Sequence, residues 1–103
     1  MTVPSPQHTS REKLADLMHH ELASLEASQL TWWQAHNVSP FPAVYREAAH
    51  FVVAVDERAA VFFADDEDEF GIAKLDASGH FIMDYGLVGD LKEAITLIQV
   101  NAT

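Results

Sequence analysis

His50–Leu75 reads HFVVAVDERAAVFFADDEDEFGIAKL, three apolar runs parted by the charged breaks DER and DDEDE. Runs of five or six residues rich in Val, Ile and Phe, each bounded by charge, are strand signals. The breaks are the informative part. Parallel strands need a crossover of a dozen or more residues, whereas a hairpin closes in two to five. These runs therefore pair as antiparallel neighbours. Working outward, the spacing predicts strands over His50–Val55, Ala59–Ala64, Phe70–Leu75 and Phe81–Tyr85, with DASGH as the last short connection and Gly79 in its left-handed position.

The flanks read as helix. Thr9 and Glu12 have capping-box spacing, and Leu14, Leu17, Met18, Leu22 and Leu25 then recur every three or four residues as one apolar stripe. Residues 10–36 contain no Gly or Pro, so one long helix or two short ones fit, the second being capped by Thr31 and Gln34. Asn37 suits a left-handed stop, and Pro40 and Pro42 forbid continuation. NVSPFPAVYREA thus reads as a connecting loop with a turn near Ala43–Glu47. At the far end Asp90 and Glu93 repeat the capping-box spacing, and Leu91, Ala94, Ile95 and Ile98 form the stripe of a final helix.

The expected architecture is an α+β two-layer domain, with an N-terminal helix, a four-stranded antiparallel meander and a C-terminal helix (α-β-β-β-β-α). Residues 1–8 read as a disordered tail and 9–103 as a single domain, a usual size for one core. Alternation leaves both sheet faces apolar: Phe51, Val53 and Val55 oppose His50, Val52 and Ala54, and Val61 and Phe63 oppose Ala60, Phe62 and Ala64. Two helices cover one face. The other needs the Trp-rich segment, a partner or a second copy of the chain, which makes a homodimer through a sheet face one expectation.

Sixteen acids against six bases give a net charge of −10. That field repels phosphate backbones and attracts cations, so nucleic acid is excluded as a partner and a basic protein is favoured. The absence of cysteine removes thiol chemistry and disulfides. No segment reads as a secretory leader or membrane span, so the expected location is cytoplasmic, with no membrane partner. No catalytic, phosphate-binding or dinucleotide motif occurs, and no cofactor or metal is expected. The run Asp65–Glu69 fails as a calcium loop, since Phe70 and Ala77 stand where ligands are required. His19 and His20 are adjacent and cannot chelate together. Glu12, Asp16 and His20 share a helix face but read as surface contacts.

Two groups of candidate residues remain. Asp65, Asp66, Glu67, Asp68 and Glu69 form an acidic hairpin tip suited to a basic partner. Trp32, Trp33, Phe41 and Tyr45 form the densest aromatic segment, a binding patch or a pocket wall, with His36 and His50 as pocket candidates. Small size, acidity and lack of cysteine are shared by many intracellular inhibitors of basic toxins and nucleases. This is a likeness of composition that suggests a class and no residue roles. The expected function is a non-enzymatic protein-binding module, for instance of the immunity type. The alternative is a small-ligand-binding or enzymatic domain, its pocket between the sheet and the Trp-rich segment.

Overall fold

The computed structural model describes Pro6 and residues 9–45, 48–57, 59–65 and 67–101. The expected tail over residues 1–8 lies outside that range except for Pro6. The fold is α+β: helices α1 (Arg11–Ala23) and α2 (Ala27–His36), strands β1 (Asn37–Tyr45), β2 (Ala48–Asp56), β3 (Ala59–Ala64), β4 (Glu69–Leu75) and β5 (Phe81–Gly89), then helix α3 (Leu91–Asn101). The strands form one antiparallel meander in chain order.

Helix starts differ from expectation in detail. Ser10, not Thr9, caps α1: its backbone is extended and its hydroxyl accepts from the Lys13 amide at 3.1 Å, while Thr9 is buried. The 10–36 segment is two helices, broken at Ser24–Glu26. Gln29 Oε1 accepts from the Glu26 amide at 2.9 Å at the start of α2. Thr31 does not cap a helix, because its hydroxyl bonds back to the Ala27 carbonyl inside α2. Nor does Asn37 stop the helix by a left-handed turn. Its backbone is extended, and its side-chain amide donates to the Trp33 carbonyl at 2.9 Å. Asp90 opens α3 as expected, accepting from the Glu93 amide at 2.8 Å.

The main correction is β1. The segment expected to be a loop is a strand, paired with β2 from Asn37↔Ala54 to Tyr45↔Ala48. Its two prolines argue against a central strand but are tolerated at a sheet edge, where no ladder partner needs their missing N–H. β1 is such an edge. The meander therefore has five strands, not four. β5 also runs past Tyr85 to Gly89, through the GLVG stretch expected to be a connection.

The helices lie on one face. Leu14, Met18, Trp32, Leu91, Ala94, Ile95 and Ile98 pack there against Phe51, Val53, Val61, Phe63, Phe70 and Ile72. Polar ties lock this layer: Gln29 Nε2 donates to Thr96 Oγ1 at 2.7 Å, and Glu21 Oε1 accepts from the Leu91 amide at 3.0 Å. The other face holds its own core of Ala43, Val52, Ala60, Phe62, Ala64, Ala73, Leu75 and Phe81, with Val38, Phe41 and Val55 half-buried around it. The sheet curls so that β1 meets β5, and these side chains are buried within the one chain. A bulge at Val53 (Val52 pairs with Phe62 but Ala54 with Val61) shifts the alternation of β2. Val53 and Ala54 both face the helices and Val55 the second core, the reverse of strict alternation for Ala54 and Val55.

The β4–β5 turn is built on Asp76, whose Oδ1 accepts from the Ser78 amide, the Ser78 hydroxyl and the His80 amide at 2.7–3.0 Å. Gly79 sits at φ +86°, as its position requires. Chiefly the His80 amide, and then the Ser78 hydroxyl, hold the Asp76 carboxyl below the ordinary range. A carboxyl lowered on folding stabilises the turn above its unfolded pKa and loses that effect as pH falls through the folded value. The expected outcome is a turn that persists at neutral pH and loosens only below about pH 4. An NMR titration of the Ser78 and His80 amides checks this, and Asp76→Ala is expected to give loosened amides at every pH.

Candidate functional site

The acidic tip is assembled from β3, β4 and the start of α3, and it is not uniformly solvated. Asp65 is 5% exposed, and its amide donates to Nδ1 of His50 at 3.1 Å. Nδ1 as acceptor leaves the proton of a neutral imidazole on Nε2. The His50 ring is itself 6% exposed, stacked on Phe81 (15° between planes) and tilted against Phe62. The first acid of the run is thus anchored in the second core. Asp66 lies outside the described residues. Glu67 and Asp68 then turn outward, their amides both bonded to the Ala64 carbonyl and Asp68 in the left-handed region at φ +54°. Glu69, half-buried, begins β4 opposite Ala64.

The same end of the sheet carries the start of α3. Phe70 pairs with Gly89, and Glu69 Oε1 lies 3.9 Å from where a Cβ on Gly89 would stand. Asp90 follows directly, and Glu93 is exposed one turn later. A helix N-terminus ordinarily attracts anions. Here the Leu91 and Glu93 amides already bond to the carboxylates of Glu21 and Asp90. Lys92, a base at this end, pairs with Glu26 at 3.4 Å. Glu67, Asp68, Glu69, Asp90 and Glu93 therefore give this end a strongly negative field, suited to cations.

The aromatic segment does not form one patch. Trp32 is buried in the helix-side core, with Trp33 half-buried against it, whereas Phe41 belongs to the second core across the sheet. Tyr45 closes β1, and nothing is described of its side chain. The histidines separate in the same way. His36 packs on Trp32 at a centroid distance of 4.7 Å and approaches Asp56 at 3.9 Å, while His50 lies in the second core. A cleft of about 380 Å³ opens at the start of α1, lined by Pro6, Thr9, Ser10, Arg11, Glu12, Pro42 and Phe51, and it contains neither histidine. Arg11 lies over the Phe51 ring there and donates to the Pro40 carbonyl. Among the described residues, no three of His, Asp or Glu converge on a point where a metal ion could be held.

The structure adds residues that pattern reading passed over. Ile82, Met83 and Tyr85 on β5 are about half exposed, and Leu87 is 37% exposed. No local signal marks them: their composition is that of a buried strand, and the register shifts of β5 against β4 that re-aim them are set by the sheet. Among the described residues no helix is long and apolar enough to cross a membrane. No protein-family model matches the chain, and neither a curated protein nor a solved structure gives a significant match.

Proposed function

We propose that this chain is a small protein-binding module that engages a basic partner through its acidic end, in the manner of an immunity-type inhibitor. The observation that carries the reading is the joining of the β3–β4 turn to the start of α3. It gathers Glu67, Asp68, Glu69, Asp90 and Glu93 at one end, beside β5. Carboxylates so placed steer a cationic surface and raise its encounter rate, and added salt weakens the effect.

The test is affinity capture at low and high salt with the native chain and with a variant carrying Glu67→Gln, Asp68→Asn and Glu69→Gln. Exposed ion pairs contribute roughly 0.2–1 kcal/mol each, so the triple variant is expected to bind about tenfold more weakly at low salt. It is expected to match the native chain at high salt. A captured partner whose affinity ignores both salt and the three substitutions removes these acids from the mechanism.

A further inference from the structure

β5 spends nine residues, Phe81–Gly89, against six of β4, Phe70–Leu75. The register skips Ile82, Tyr85 and Val88, one bulge every third residue. Repeated bulges coil a strand and break the regular ladder that another strand would need. The opposite edge, β1, carries Pro40 and Pro42, which have no N–H to donate. Addition of a partner strand is thus opposed at both edges. What β5 presents instead is side chains: Ile82, Met83 and Tyr85, apolar or aromatic and all exposed, whereas Leu87, opposite Gly71, lies on the face of Phe62.

Charge decides what covers them. The exposed row is bounded by Asp76 before it and by Glu69 and Asp90 after it, with Glu67 and Asp68 just beyond. Among the described residues, Lys74, opposite Met83, is the base that the register sets beside the row. A second copy would bring another chain of charge −10 against this surface, acid towards acid. A cationic protein surface with an apolar centre meets the row and its rim at once, and Tyr85 offers an aromatic face for an Arg or Lys.

We infer that Ile82, Met83 and Tyr85 form the affinity-determining centre of the interface with a cationic protein, docked by side-chain packing and not by strand addition. This rests on the proposed function and names its epitope. Aromatic and apolar side chains at an interface centre dominate affinity, while rim charges mainly set on-rate and salt dependence.

The experiment places a photo-crosslinking benzoyl-phenylalanine at Tyr85, or at the exposed Thr31 of α2 as control, in the full chain inside the cells that make it. The captured protein is then purified and titrated against native and substituted chains. The expected result is one discrete adduct from position 85 and none from 31, to a protein with an isoelectric point above about 9. Ile82→Ser with Met83→Ser is expected to weaken the purified pair at least about tenfold at both low and high salt. An adduct between two copies of this chain, an acidic captured protein, or equal yields at positions 85 and 31, including none at either, overturns the inference. If the serine pair changes nothing while the acid-neutralised triple variant loses binding, this epitope falls and the proposed function stands. The opposite outcome removes the acidic end and keeps the epitope. Both serine positions are about half exposed, and an unchanged melting temperature separates lost binding from lost fold.

Discussion

Gly71→Val is expected to lower the unfolding free energy by about 3 kcal/mol, the upper part of the range for overpacking a filled core. A Cβ at position 71 would stand 2.8 Å from the Gly86 carbonyl oxygen, 2.8 Å from Cζ of Phe62 and 3.0 Å from Cδ2 of Leu87. The first of these is backbone and cannot rotate away. It belongs to β5, so relief requires β5 to move off β4, and the bulged edge would shift with it. A small domain has only about 5–15 kcal/mol in hand, so this loss is a large share. Urea titration followed by circular dichroism measures it. Combining Gly71→Ala with Phe62→Leu separates the two clashes. Removing the ring is expected to recover part of the alanine loss, and the remainder reports the contact with β5. An alanine variant as stable as the native chain would show that β4 and β5 approach less closely than described.

His50→Ala is expected to cost about 3 kcal/mol, through two effects that can be separated. The first is the cavity left between Phe62 and Phe81 on the second face of the sheet. The second is the loss of the acceptor for the amide of the buried Asp65, and an unsatisfied buried amide costs about 1–3 kcal/mol. His50→Leu fills most of the space and keeps only the second loss, so it is expected to fall between native and His50→Ala. His50→Gln retains an acceptor and is expected to be milder than His50→Leu. Hydrogen exchange adds a local readout, because the Asp65 amide is expected to lose protection in the Ala and Leu variants. Equal stability of His50→Leu and the native chain would remove the hydrogen bond from the account. The consequence for function is positional. His50 anchors the root of the acidic turn, so its loss is expected to blur the placement of Glu67 and Asp68 without altering any exposed charge.

Much of the helix and strand pattern was legible because it depends on local rules. The apolar stripe of α1, the Asp90 cap of α3 and the short breaks DER and DDEDE each state their meaning within a few residues. β1 was not legible, because Pro40 and Pro42 argue against a strand unless that strand is known to be an edge, and edge status is a property of the whole sheet. The same holds for β2, where one bulge exchanges the faces of Ala54 and Val55. The candidate site divided along the same line. The acidity of Asp65–Glu69 was plain in the sequence. That Asp65 is buried, its amide bonded to His50 fifteen residues upstream, while Glu67 and Asp68 turn out is set by the tertiary structure.

By itself the sequence determined the α+β class, the antiparallel pairing, the negative field and the doubly apolar sheet, since each follows from residue type at short separation. Only the tertiary structure decided how the second apolar face is covered, by curling β1 towards β5, and which apolar residues stay exposed. Curl and register arise from strand pairings across the whole sheet, each bulge re-aiming side chains that period-two alternation places otherwise. A strand's composition states that it can bury two faces. Its place in the sheet settles whether it does.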